Sequence, residues 1–316
     1  MRHAEFDIHF APLQGYTGPE YRAAYAEVFG DEAVGYFYTP FLRVDGGRPD
    51  SRGLRDAAAA LKAHVPTVPQ IIFGSVGEFD LLAGHLRDMG ARRIDLNLGC
   101  PFAPQVRRGR GSGLLRRPDV LAAIAPRIAA DTDVEYSVKM RLGVESPDES
   151  LALVSVLRDM PLRHVTVHPR TARQQYGGEV DLDAFGRLAP RLGHPVIYNG
   201  DIRSAADIRR LLAAFPDLSG VMIGRGLLAA PWIAAEWRTG AEWGTADRLS
   251  ALGDLHRRYS ERLAARLCGP AQLLAGLRPF WEYLEPAVGR RACRRILKAR
   301  SLDAYTAAVA AALRGE

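Results

Sequence analysis

The sequence predicts an α/β fold, a (β/α)8 TIM barrel followed by a C-terminal helical domain. Three observations predict it. Short β-branched or aromatic runs recur at near-regular intervals, each ending in polar or glycine-containing residues. Segments with helical spacing of apolar residues separate them. After Trp237 the strand-like runs stop and only helical patterns continue. A length of 316 residues suits one large barrel with an appendage better than two equal domains.

The eight strand-like runs are, in order, Ile8–Pro12, Gly35–Phe41, Val68–Phe73, Ile94–Asn97, Glu135–Met140, His164–His168, Pro195–Asn199 and Gly220–Ile223. Their apolar residues are nearly continuous, as a parallel sheet covered on both faces requires. Between them lie the helical patterns Glu78–Met89, Pro118–Ala130, Glu149–Met160 and Ser204–Phe215. Pro118 after Arg117, Ser204, and Pro147-Asp148-Glu149 supply start signals for three of these. A doubly wound open sheet is the alternative, and the lack of GxGxxG after the first strand argues against it. Gly240 to Thr245 reads as a linker, dividing a barrel over 1–240 from a helical domain over 245–316. The latter carries helical patterns over Asp247–Leu267, Ala271–Leu284 and from Arg290 onward. Its arginines Arg257, Arg258, Arg262, Arg266, Arg290, Arg291, Arg294 and Arg295 have few acids nearby in sequence. This predicts a face of positive potential.

Charged residues make up 25% and hydrophobic ones 47%, the composition of an ordinary soluble protein with a substantial core. Three scattered cysteines and no CxxC or HExxH spacing predict neither a disulfide framework nor a metal site, and suit a reducing cytoplasm. Met1 to His9 reads as neither signal peptide nor anchor, and no segment is long and uncharged enough to span a bilayer. The net charge is +6 and the pI about 9.4. Lysine stands only at Lys62, Lys139 and Lys298, so the excess is arginine, whose fork matches phosphate. GC-rich genomes also enrich arginine, so composition alone does not decide for nucleic acid.

In a barrel the carboxyl ends of all strands converge on one rim, where active sites sit. The predicted ends place there Pro12-Leu13-Gln14, Gln70, Asn97 with Cys100, Lys139 with Arg141, and His168 with Arg170. Asn199-Gly200-Asp201 and Gly224-Arg225-Gly226 join them and predict a phosphate pocket of backbone N–H groups. Lys139 among apolar strand residues either snorkels to solvent or neutralises an anionic reduced cofactor. His168 is either a satisfied core histidine or a ligand contact. Cys100 is either a buried cysteine before a turn or an open thiol beside a flexible basic run, Arg107 to Gly113.

Ala11-Pro12-Leu13-Gln14-Gly15-Tyr16-Thr17 is similar to an APMxGxT opening. Asn97-Leu98-Gly99-Cys100-Pro101 matches NxGCP, and Val138-Lys139-Met140-Arg141-Leu142-Gly143 matches VKxRLG. Val167-His168-Pro169-Arg170-Thr171 and Gln175-Tyr176-Gly177-Gly178 follow VHxRT and QxYxG. Together these resemble the tRNA-dihydrouridine synthases, FMN-dependent barrel enzymes that reduce uridine in RNA. The resemblance covers nearly the whole chain, and Phe41-Leu42-Arg43-Val44 is most similar to the bacterial C-type branch. Pro40, Ala103-Pro104-Gln105 and Pro169 depart from that pattern where a glutamate, a nearby lysine and a glycine are common.

The resemblance implies FMN held by Pro12, Leu13, Gln14, Gln70, Lys139, His168, Asn199, Gly200, Asp201, Gly224 and Arg225. NADPH or NADH is the implied reductant. Gln70 is expected on the pyrimidine part of the flavin. Cys100, a thiol with an ordinary pKa of roughly 8.5, is expected to protonate uracil C5 as general acid. Asn97, Arg141, Arg170 and Tyr176 are expected to contact the substrate. The implied partner is tRNA, or another structured RNA, bound by a cytoplasmic monomer that uses no metal and no membrane. Two rivals are a dihydroorotate-dehydrogenase-like flavoenzyme on a free pyrimidine and a non-catalytic RNA-binding barrel. The basic C-terminal region argues against the first, and Cys100 with Lys139 against the second.

Overall fold

A computed structural model describes residues 6–30 and 33–316; the part of the N-terminal leader expectation that falls on 1–5 lies outside the described residues. The strands are β1 (Asp7–Phe10), β2 (Tyr36–Tyr38), β3 (Leu42–Asp45), β4 (Arg48–Pro49), β5 (Thr67–Val68) and β6 (Gln70–Ile72). They continue with β7 (Arg93–Leu98), β8 (Glu135–Gly143), β9 (Leu162–Thr171), β10 (Val196–Asn199) and β11 (Gly220–Ile223). The sheet runs β4-β3-β6-β7-β8-β9-β10-β11-β1-β2-β5. Its last member, β5, is separated from β6 by Pro69 alone, so the chain itself closes the ring. β5 pairs with β2 and β6 with β7, both in parallel. Pro69 has no N–H to give a ladder, and so divides the predicted run Val68–Phe73 into two short pieces of one wall. The predicted run Gly35–Phe41 likewise stops at Tyr38, before Pro40, and the chain restarts as β3 beside β6.

Around the ring pack α1 (Pro19–Phe29), α2 (Ser51–Leu61), α3 (Val76–Asp88), α4 (Ala103–Arg107) and α5 (Pro118–Ala130). Then follow α6 (Val154–Asp159), α7 (Leu182–Leu188), α8 (Ala205–Ala214), α9 (Arg225–Ala229) and α10 (Ile233–Thr239). Ser75 and Ser204 accept the N–H of Glu78 and Asp207, capping α3 and α8. The helix predicted over Glu149–Met160 departs from expectation: its first half is a 3-10 turn, Pro147–Leu153. Glu149 turns its carboxylate back to the end of β8, accepting Val144 N–H at 2.6 Å and Arg116 at 2.9 Å, and so anchors a loop.

The C-terminal helices are α11 (Thr245–Arg266), α12 (Pro270–Leu277), α13 (Glu285–Val288), α14 (Arg290–Leu297) and α15 (Leu302–Leu313). Pro279 ends the predicted helix Ala271–Leu284 in a 3-10 turn, Arg278–Trp281. These helices share a continuous apolar core with the barrel. Tyr21 of α1 meets Tyr259 and Phe280 at ring-centroid distances of 5.8 and 6.1 Å. The expected sparsity of acids around the arginines needs correction for α11, whose arginines find acids both on α1 and on α11 itself. Arg258 and Arg262 pair with Glu27 of α1, Arg266 pairs with Glu20, and Arg257 pairs with Asp254 and Glu261. Arg290, Arg291, Arg294 and Arg295 on α14 are exposed and make no ion pair among the described residues. Among the described residues no helix is long and apolar enough to cross a membrane.

Candidate active site

The carboxyl ends of the strands open on a cavity of about 750 Å³, in the range of small-molecule and cofactor sites. Its wall holds Pro12, Leu13 and Gln14 after β1, Gln70 on β6, Asn97 on β7 with Cys100 beyond it, and Lys139 with Arg141 on β8. His168 on β9, Tyr176 in the next loop, Asn199, Gly200 and Asp201 after β10, and Gly224 with Arg225 after β11 complete it. Of the residues expected there, Arg170 is the exception.

Arg170 is buried behind His168, with all five guanidinium N–H groups engaged. They reach both carboxylate oxygens of Asp201 at 3.1 and 2.6 Å, His168 Nε2 at 3.1 Å, and the carbonyls of Gly177 and Gly178 at 3.2 and 2.7 Å. The expected substrate contact is therefore corrected to a clamp: no donor remains for a ligand, and the side chain holds Asp201 and the Tyr176 loop in place. Because Nε2 of His168 accepts from Arg170, Nδ1 is the protonated nitrogen of the neutral ring. Burial first, then the charges of Arg141, Lys139, Arg170 and Arg225, hold the His168 pKa well below its ordinary value.

The turn after β7 is tightly built. Asn97 Oδ1 accepts the N–H of Gly99 at 3.0 Å and of Cys100 at 2.8 Å, and its amide nitrogen donates to Gln70 Oε1 at 2.7 Å. One amide hydrogen is left for a ligand. Gly111, at φ +57, packs directly behind the thiol residue; a Cβ there would come within 2.8 Å of Cys100 Cβ. The basic run Arg107 to Gly113, expected to be a flexible loop, runs between two short helical turns. It leaves α4, buries Arg110 against the Glu78 carboxylate (Nε to Oε2, 2.9 Å), and enters the 3-10 turn Gly111–Arg116. Burial pushes the Cys100 thiol pKa up against the opposing pull of the Phe102 amide, Arg141 and Lys139. At neutral pH the sulfur keeps its proton.

Lys139 pairs in register with Asn97, and its accessible part opens on the cavity. It makes no ion pair with a described residue. Burial and Arg141 lower its pKa to about 8, with Asp95 and Cys100 opposing. Arg141 donates to Gly99 O at 3.0 Å and Thr171 O at 2.9 Å, tying the thiol turn to β9. Tyr176 is 51% exposed, and its ring carries the guanidinium groups of Arg225 at 4.5 Å and Arg141 at 5.4 Å. On the opposite side the loops after β10 and β11 close on each other. A Cβ on Gly226 would lie 2.0 Å from Ile202 O, so only glycine allows that approach. Asn199 joins the two strands by donating to Met222 O at 2.7 Å. A cation at one wall, Arg225 at the start of α9 at another and apolar surface between suit a ligand that is aromatic at one end and anionic at the other.

Part of the wall has no counterpart in the sequence reading. Glu282, Tyr283, Glu285 and Pro286 reach it from the C-terminal region. Tyr16 donates to the Glu282 carboxylate and meets the Tyr283 ring at 5.2 Å, closing the cavity on that side. Tyr16 belongs to the first motif, but no local pattern points to partners 266 residues away.

A family model described as dihydrouridine synthase (Dus) matches residues 9–265. A probable tRNA-dihydrouridine synthase of Rhodobacter capsulatus is 32% identical over 231 residues, which are 72% of this chain and 70% of that protein. The tRNA-dihydrouridine synthase B of Pasteurella multocida is 31% identical over 147 residues, 46% of this chain and 44% of that protein. The chain thus aligns with most of the first relative and with less than half of the second. Among solved structures, a morphinone reductase variant in complex with tetrahydroNAD has a TM-score of 0.50 at 11% identity. The match covers 75% of this chain and 87% of that one, a likeness of fold.

Proposed function

The chain belongs to the dihydrouridine synthase family and is an oxidoreductase of the tRNA-dihydrouridine synthase type; we propose that it binds FMN, takes electrons from NADPH or NADH, and protonates uracil through Cys100. One observation carries this reading: the Cys100 thiol just beyond β7 and Lys139 on the adjacent β8, which makes no ion pair among the described residues, share one cavity. The fit to FMN is supported by that lysine and by the glycine loops after β10 and β11, with Arg225 beside them. In this reading Pro12, Leu13, Gln14, Gln70, His168, Asn199, Gly200, Asp201 and Gly224 line the flavin pocket.

FMN, if held by these residues, would supply the hydride for uracil C6. The negative charge that develops on the ring needs a proton at C5, and Cys100 Sγ holds one at neutral pH. Lys139 offsets negative charge near the flavin, and Arg141, fixed by two carbonyls, aligns the thiol turn. Tyr176 presents an exposed aromatic face between two cations, suited to a flipped base. The region 245–316 serves as the RNA-binding domain, with α14 as its basic face. The Phe41-Leu42-Arg43-Val44 segment supports a C-type kinship, and three free cysteines support a cytoplasmic location.

The test separates the two half-reactions. Cys100→Ala is expected to keep its flavin and its reduction by NADPH. It should lose roughly 10²–10⁴-fold in single-turnover oxidation of the reduced enzyme by tRNA, the usual contribution of a general acid. A parental rate in that step removes Cys100 from the chemistry.

A further inference from the structure

We infer that Asp95, which does not line the cavity, is the positioning residue that sets Cys100 for proton transfer, acting through Gln70 and Asn97; this rests on the reading of Cys100 as the acid. Asp95 is fully buried on β7. Its Oδ1 accepts from Ser137 Oγ at 2.6 Å and its Oδ2 from Gln70 Nε2 at 2.7 Å. Gln70 Oε1 accepts from Asn97 Nδ2 at 2.7 Å, and Asn97 Oδ1 accepts the N–H of Gly99 and Cys100.

The chain of bonds has a direction. An ionised carboxylate can only accept, so Gln70 must turn its NH2 toward Asp95 and its oxygen toward Asn97. Asn97 must then turn its NH2 toward Gln70. Its oxygen is left facing the two peptide N–H groups that carry the thiol. Reversing either amide would set donor against donor inside an enclosed site. The orientation of the Cys100 turn is thus fixed three hydrogen bonds away. Burial raises the Asp95 pKa to about 6, against the pull of Ser137, Gln70 and Lys139, and the group remains ionised at pH 7.

A different role for Asp95, as mere counter-charge to Lys139, makes a different forecast. Asp95→Asn keeps an acceptor oxygen for Gln70 and loses the charge. Asp95→Leu loses both. In the flavin-loaded full-length enzyme, Asp95→Leu is expected to slow single-turnover oxidation by tRNA at least about tenfold, as a displaced general acid does. Apparent tRNA affinity should stay within about twofold, since the interaction is made only in the chemical step. Asp95→Asn should recover most of the rate. Alkylation of Cys100 by iodoacetamide, followed peptide by peptide because Cys268 is exposed, should change severalfold in Asp95→Leu and little in Asp95→Asn. Equal losses in both variants assign the charge role and overturn the inference. So does a folded Asp95→Leu enzyme with parental turnover and alkylation. If Asp95→Leu does not fold, Gln70→Met cuts the same chain one link nearer the thiol, where parental turnover and alkylation would again overturn it. Cys100→Ala, run alongside, keeps the two claims apart. A parental rate there removes the acid reading itself, whereas a slow Cys100→Ala beside a fast Asp95→Leu removes only the role of Asp95.

Discussion

Lys139 and Cys100 stand out in the sequence because each is a costly or reactive choice where it falls, a lysine inside an apolar strand and a cysteine at a strand end. What they touch leaves no such mark. Arg170 looks like a ligand contact beside His168, yet its five donors all meet protein acceptors. Asp95 reads as one more polar residue near a strand end, because a hydrogen-bond chain across three strands leaves no spacing in the sequence. The lysine has a measurable signature. Its pKa is lowered to about 8, so its charge is present below that pH and absent above it. Lys139→Met is therefore expected to weaken FMN binding or slow flavin reduction by NADPH. In the parental enzyme the same property should decline as pH rises through about 8. Unchanged flavin affinity and reduction rate in Lys139→Met would return the residue to a structural role.

Elements are legible in kind and less so in their ends. Apolar runs mark the ring strands, while Pro69 and Pro279 split what periodicity joins. The basic C-terminal helices divide in a way that composition hides, because the acids that answer Arg258, Arg262 and Arg266 lie on α1. Charge reversal at Arg258 and Arg262 should lower the melting temperature, since both then face Glu27 with like charge. Each pair is partly exposed and contributes about 0–1 kcal/mol, so the shift should be a few degrees at most. Charge reversal at Arg290, Arg291, Arg294 and Arg295 should instead leave the melt alone and flatten the salt dependence of tRNA binding. The slope should fall by roughly 0.7–0.9 for each phosphate that is no longer neutralised. A parental salt slope in the α14 variant, measured by filter binding, would move the RNA grip elsewhere.

For the whole molecule, buried histidines in the barrel and in the C-terminal helices make stability depend on acid in a stated direction. The Tyr38 hydroxyl bridges His9 Nδ1 at 2.7 Å and His164 Nε2 at 3.2 Å. Burial lowers the pKa of His164 and His256 to about 4, and those of His9 and His168 well below the ordinary value. Between pH 6.5 and about 4 the unfolded chain therefore binds more protons, and stability falls as pH falls. Each of the two histidines with a value near 4 contributes about 3 kcal/mol to that loss. Asp95, raised to about 6, works the other way by a similar amount and offsets only one of them. Melts should be level from about pH 7 to 8 and drop steadily below roughly pH 6.5; a protein that gains stability on moving from about pH 7 to 5 contradicts this. The catalytic claim for the intact protein has a more direct test. Unmodified tRNA incubated with the flavin-loaded enzyme and NADPH should acquire two hydrogens at a uridine, seen by mass spectrometry of its nuclease fragments, and lose the gain when Cys100 is replaced by Ala. A yellow, NADPH-reducible protein that leaves tRNA unchanged while acting on a free pyrimidine would contradict the account.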